Sequence, residues 1–356
     1  TSSSTSSTDE CTSVASDNSN NVIVVGWTAS NVFPVYLGYQ MASGGNNDAF
    51  VVKFNSAGTR LWATYYGGNS DDRAYSVAIG ANDSIYVVGL TSSTNLLVPY
   101  AFQASNRGGY DAFIAEFTPS GSLYWGSYCG GSSNDYGSDV AISTTGNVPA
   151  FTGTTYSANF PTIRALITSL NQTGSGAASD AFVVTAYKGT QYFGSYFGGD
   201  GDDRGQGIII DGSNYVTFTG YTTNFTNYSY PLAFTSPMTN AWQSTYGGGA
   251  SDAFLTKIYV PNYGAVSWNW STYFGSRRED VGEDIAMIVS GSTIAITGSS
   301  MSYVLAPSTC VKNADTNAFD AFVYVFDYNF GTPTTGRFFG GTSNDYGMDI
   351  ARIGTT

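Results

Sequence analysis

The chain of 356 residues contains no histidine. That excludes histidine-based nucleophilic triads and zinc sites built on imidazole, and three cysteines are too few for a thiolate cluster. Charge is scarce too: 11% of residues are Asp, Glu, Lys or Arg, against about 25% in ordinary domains. Only 13 are basic, and the net charge is −13. A chain without a basic face is a poor ligand for nucleic acid or for an anionic membrane surface. No apolar run reaches the 18 or so residues of a membrane-spanning helix, so no membrane insertion is expected. There is no glycine-rich phosphate loop of the nucleotide-binding kinds. Serine–lysine or paired-carboxylate chemistry stays formally open, but no fixed spacing singles out such a pair.

The three cysteines are Cys11, Cys129 and Cys310. An odd number allows one bridge and one free thiol, or a link between chains. In an exported chain a Cys11–Cys310 bridge would pin the N-terminal segment; the competing expectation is three unpaired thiols. The sequence starts at Thr1 rather than Met, as a processed precursor would.

What the chain does have is repetition. Asp-Ala-Phe occurs at 48–50, 111–113, 180–182, 252–254 and 320–322. A period of this length marks a repeat architecture. Each copy contains four short runs rich in Val, Ile, Tyr and Phe, separated mainly by compact Gly, Asn and Ser turns. No stretch has sustained helical periodicity. Four strands per repeat, here A to D from the inside outwards, are the blade of a β-propeller. The expected fold is all-β: one five-bladed β-propeller over residues 20–356 behind a Ser/Thr-rich tail, 1–19. The last A-type run, 348–353, is expected to close the ring beside the first B-type run, 21–26, which would remove exposed sheet edges.

The motifs carry a resemblance. Asp48-Ala-Phe-Val-Val-Lys-Phe-Asn-Ser-Ala-Gly58 followed by Leu61-Trp-Ala-Thr-Tyr-Tyr-Gly-Gly68 resembles the SBBP β-propeller repeat. The likeness spans nearly all of residues 20–356. It departs where Gly275-Ser276 replaces Gly-Gly and where Thr335 stands in place of Trp62 and Trp125. The resemblance implies a propeller on an extracellular or surface protein, and no defined enzymatic activity.

An aspartate recurs just before each A strand, at Asp72, Asp135, Asp203, Asp280 and Asp345, with an apolar residue five positions on. Clustered oxygens of this kind would hold Ca²⁺, and Asp200 and Asp202 make the turn before Asp203 the most acidic. The competing reading is that each carboxylate fixes its own turn by accepting backbone N–H groups, and recurrence in every repeat favours it. The first residue of Asp-Ala-Phe is read as structural as well. No cofactor is required by any motif.

The B-to-C loops differ between copies, and variable loops on a rigid scaffold are where binding commonly lives. The fourth carries Tyr228, Tyr230, Phe234, Trp242 and Tyr246. These aromatics would stack on sugars or dock a neighbour, unless they fold down onto their own sheet. Glycosylation sequons stand at Asn82, Asn171, Asn224, Asn227 and Asn269. The expected function is that of a non-enzymatic, glycosylated extracellular or cell-surface structural protein, part of a surface layer, sheath or filament. Its partners would be copies of itself, other surface proteins or glycans. The alternatives are a carbohydrate-binding propeller using loop aromatics and, less favoured, a carboxylate-based lyase or hydrolase.

Overall fold

A computed structural model describes residues 8–143, 148–170, 178–223, 241–305, 310–312 and 317–351. The protein is all-β, with no helix among these residues. Five four-stranded sheets follow one another along the chain. The first holds β1 (Asp9–Ser16), β2 (Val22–Thr28), β3 (Asp48–Phe54) and β4 (Arg60–Tyr66). The second holds β5 (Asp72–Ile79), β6 (Ile85–Thr91), β7 (Asp111–Phe117) and β8 (Leu123–Cys129). The third is formed by β9 (Asp135–Ile142), β10 (Pro149–Thr155), β11 (Asp180–Tyr187) and β12 (Thr190–Phe197). The fourth comprises β13 (Asp203–Ile210), β14 (Tyr215–Thr222), β15 (Asp252–Tyr259) and β16 (Ser267–Phe274). In the fifth, β17 (Asp280–Val289) and β18 (Thr293–Ser300) precede β21 (Asp320–Asp327) and β22 (Pro333–Phe339), with a two-stranded β19 (Val304–Leu305) and β20 (Cys310–Val311) between. This is the plan of a propeller-type repeat protein.

The innermost strand of each sheet carries one sequence template: aspartate, a small residue two places on, an apolar residue five places on. A bulge follows the small residue in each resolved register, at Cys11/Ser13, Ala74/Ser76, Gly205/Gly207 and Gly282/Asp284. The expectation for the chain ends is corrected here. The strand beside β2 is β1, from within the predicted tail, and residues 341–351 form no strand. Asp9, Cys11 and Val14 fit the template, but Ser and Thr around them disguised it as linker. β1 is also joined to β2 by a tight turn in which Asp17 Oδ1 accepts the N–H groups of Ser19 and Asn21, so little loop entropy is lost on pairing.

The chain divides into two compact units: Thr1–Phe151 with Ser157–Pro161 and Thr185–Gln191, and Thr152–Tyr156 with Thr162–Val184 and Tyr192–Thr356. In the first, Phe113, Phe117, Tyr128, Trp62 and Tyr66 build the core with small and branched residues from β2, β3, β5 and β6. In the second, Trp270, Phe274, Phe322, Tyr324, Phe326 and Tyr328 do so. Phe274 meets three of these rings edge-on, at 4.6–5.4 Å between centroids.

The same lock joins successive sheets in both units. Trp62 Nε1 and Lys53 Nζ donate to the carbonyl of Pro119 at 3.0 and 3.2 Å. Trp270 Nε1 and Lys257 Nζ donate to the carbonyl of Tyr328 at 3.1 and 3.0 Å. Each accepting carbonyl lies in the turn between the two outer strands of the next sheet. A glycine with positive φ, Gly121 or Gly331, lies flat on the tryptophan ring there, where a Cβ would stand 2.7 or 2.6 Å from the indole.

Candidate functional site

The recurrent aspartates sit where the sequence placed them, at the head of each innermost strand. Asp72, Asp135, Asp203 and Asp280 are wholly buried. Each accepts a backbone N–H from the turn before it: Gly68 to Asp72, Gly131 to Asp135, Gly199 to Asp203 and Ser276 to Asp280, all at 2.7 Å. Asp345 accepts the N–H of Gly341 at 2.9 Å. Hydroxyls from the end of the following strand complete the set. Asp72 takes Thr91 and, at 2.7 Å, Ser93. Asp280 takes Ser300 and, at 2.9 Å, Ser302. Asp135 takes Ser157 at 2.8 Å. A carboxylate holding a turn and two hydroxyls has few lone pairs left for a ligand.

A second carboxylate faces it. Asp111, the first residue of its Asp-Ala-Phe, accepts Arg107 N–H at 3.0 Å and Gln103 Nε2 at 2.7 Å on Oδ2. Its Oδ1 is buried with no hydrogen-bond donor, and the same holds for Asp48, Asp252 and Asp320. A Cβ on Gly130 would lie 2.6 Å from Asp111 Oδ1 and 2.7 Å from Asp135 Oδ2. A Cβ on Gly198 would lie 2.6 Å from both Asp180 Oδ1 and Asp203 Oδ2. The glycine that recurs between the two carboxylates is thus a steric requirement, and the two acids converge on one buried point.

Two carboxylates in one buried place favour the protonated form. Burial, and after it the charge of Asp135, raises Asp111 to about 7 against the pull of its hydrogen bonds. Burial and the charge of Asp280 raise Asp252 to about 8. Burial raises Asp280 to about 6, and raises Asp48, Asp72 and Asp203 as well. Among the described residues, no group of three or more acidic or cysteine side chains is placed to hold a metal ion. In the acidic turn, Asp202 Oδ1 accepts Ser179 N–H and hydroxyl at 3.0 and 3.2 Å.

The second unit contains a cleft of about 480 Å³ lined by Asp202, Glu279, Glu283, Tyr221, Phe319 and Tyr346 among others. Burial raises Glu283. The rings of Phe319 and Tyr346 tilt against each other at 5.4 Å, and the Arg204 guanidinium lies 5.7 Å from the Tyr221 ring. Acid and aromatic walls together suit a cationic or a polyhydroxylated ligand. Sequence reasoning missed this cleft because its walls come from three repeats and no single motif encodes it.

The loop aromatics are divided. Tyr228, Tyr230 and Phe234 lie outside the described residues, as do Asn171, Asn224 and Asn227. Trp242 packs against the core of the second unit. Tyr246 donates to Gly249 O and meets Tyr273 edge-on at 6.2 Å. Both therefore fold down onto their sheet. Asn82 is exposed in the turn between β5 and β6, whereas Asn269 lies in β16 and is half-buried. Cys11 lies on the exposed side of β1, where pairing with β2 sets it opposite Gly26; the expected Cys11–Cys310 bridge falls on Cys310, whose side chain lies outside the described residues. Cys129 is free and buried, and Cys310 belongs to β20.

No protein-family model matches the chain. A regulatory protein, FlaEY of Caulobacter vibrioides, is 29% identical over 105 residues, which is 28% of this chain and 11% of that protein. An uncharacterized WD repeat-containing protein, L264 of Acanthamoeba polyphaga mimivirus, is 27% identical over 118 residues, 29% of this chain and 8% of that protein. The alignments thus take in about a tenth of either relative's length. Among solved structures, an apocarotenoid oxygenase variant of Synechocystis matches 91% of this chain and 58% of its own at 9% identity and a TM-score of 0.39. That likeness is too slight to bear on activity.

Proposed function

We propose that this chain is a five-bladed β-propeller of the SBBP repeat kind, acting as a non-enzymatic structural protein outside the cell, a subunit of a surface layer, sheath or filament. One observation carries the reading: the carboxylates at the strand heads, Asp72, Asp135, Asp203 and Asp280, each accept a backbone N–H of their own turn, with hydroxyls added at Asp72 and Asp280, so this repeated chemistry serves the scaffold. The low charge and the Ser, Thr and Asn content suit a glycosylated surface that meets copies of itself, other surface proteins or glycans. No cofactor is required; Ca²⁺ at the Asp200–Asp203 turn is the ion to test, and an unchanged melting midpoint on chelation dismisses it. Sedimentation velocity of the purified chain over a hundredfold concentration range tests the function. Growth into large, regular species is expected, and a single monomeric boundary throughout overturns the reading.

The cleft supports a second reading, a carbohydrate-binding module, in which Tyr221, Phe319 and Tyr346 stack on a sugar and Glu279 and Glu283 accept its hydroxyls. A glycan array reads this out, and silence across all sugars rejects it.

A further inference from the structure

The sequence holds six copies of the innermost-strand template, and among the described residues five of them are followed by three further strands of a sheet. The sixth template, Asp345 to Ile350, is placed as an innermost strand against the fifth sheet. The Asp345 N–H donates to Phe319 O at 2.8 Å, as that of Asp72 does to Asn47 O and that of Asp280 to Ser251 O, at 2.8 and 2.9 Å. The Ile350 N–H donates to Asp284 Oδ2 at 2.9 Å. The matching bonds in the first unit run from Val77 N–H to Ser13 Oγ and from Val140 N–H to Ser76 Oγ, at 3.3 and 3.4 Å. A Cβ on Gly347 would lie 2.3 Å from Thr297 Oγ1, as one on Gly282 would lie 2.4 Å from Thr219 Oγ1. Yet no strand pairs with this segment among the described residues. Met348 and Tyr346 are 66% and 52% exposed.

The first sheet has the converse defect. β1 pairs with β2, but its aspartate is exposed, unlike the buried ones of β5, β9, β13 and β17. Asp9 takes the Thr28 hydroxyl. The second hydroxyl at that strand end, Ser30, matches Ser93 in the second sheet, which serves Asp72. Val14, the apolar residue of the template, is 62% exposed where Val77 and Ile285 are buried. Asp345 thus brings the Gly341 N–H with it, and the end of β2 offers hydroxyls of the kind that serve Asp72 and Asp280.

Resting on the assembly reading above, we propose that residues 345–350 of one copy take the place of β1 beside β2 of a second copy, joining copies head to tail by strand exchange. The occupant is set by the sequence: Asp345, Gly347 and Ile350 reproduce Asp9, Cys11 and Val14, so the segment reads the register of β2, with Ile350 opposite Val24 where Val14 now stands. The exchange adds a Gly341–Asp345–Thr28 set of bonds across the joint and gives residues 345–350 a partner strand.

Two single variants, Val24→Cys and Ile350→Cys, each also carrying Cys11→Ser, test this when mixed and oxidised. A disulfide-linked dimer is expected on mixing, and a ladder of multimers from the double variant. A double variant linked only within its own copy, or no link at all, overturns the proposal. Val14→Cys with Val24→Cys links within one copy and confirms that the variants fold and that the β2 thiol reacts. A synthetic peptide of residues 340–353 supplies the second readout: it competes with the mixed dimer at least fivefold if the proposal holds, and an inert peptide contradicts it. Large assemblies without copy-to-copy links would sink the exchange and leave the assembly reading standing. Linked dimers that never grow would do the reverse.

Discussion

A glycine and two aspartates explain most of what looks like a site. Gly130 lies between Asp111 and Asp135 with no room for a methyl group. Gly130→Ala is expected to cost about 2–3 kcal/mol, since neither buried carboxylate has space to retreat. Gly341→Ala, with nothing within 4 Å of its Cβ, should cost under about 1 kcal/mol; chemical denaturation of both variants decides. The pair also fixes how stability responds to pH. Asp111 and Asp252 titrate near 7 and 8 in the fold, but near 4 when unfolded. Between those values the native state binds more protons than the unfolded one, so stability is greatest below about pH 4 and falls as pH rises towards 8. Asp17 works the other way. Burial acts to raise it, but hydrogen bonds from Lys53 and Asn21 outweigh that and hold it at about 2, so its contribution is lost only in stronger acid, as pH falls from about 4 to 2. The melting temperature should therefore be higher at pH 4.5 than at pH 8. Asp111→Asn should be more stable than the parent at pH 8, by about 1–3 kcal/mol, and near neutral at pH 4.5. A melting temperature that rises with pH, or an Asn variant that is weaker at pH 8, contradicts the paired-acid account.

At the scale of the strand, most of the plan was legible because each repeat states it again. Asp-Ala-Phe marks the third strand of every sheet, and the Val, Ile, Tyr and Phe runs mark the rest. The structural role of the recurrent aspartates was legible for the same reason. What failed was β1. Its template is present, but Ser16 stands where later copies have Ile79, Ile142, Ile210 and Met287, and polar composition masked a strand defined by three positions. The cleft was illegible because it is assembled across repeats by Tyr221, Glu279 and Tyr346. The lock between sheets gives this scale its prediction. Trp270→Phe keeps most of the buried ring but removes the bond to Tyr328 O, and should cost about 1 kcal/mol. Trp270→Ala also leaves a hole beside Phe274 and its neighbours and should cost about 3–5 kcal/mol. A Trp270→Phe variant as stable as the parent, read by urea melts, would show that the lock is not what the tryptophan contributes.

For the whole molecule, the account joins two features: a scaffold whose strand-head acids hold its own turns, and two segments, 9–16 and 345–350, that carry the same template. A filament, sheath or layer follows if the second takes the place of the first between copies. The measurement that tests this most directly is a cryo-electron microscopy map of the native material. The account predicts a repeating assembly in which each copy shows five four-stranded blades and touches the next through a shared β-sheet. Isolated molecules, or copies with another number of blades, would contradict it.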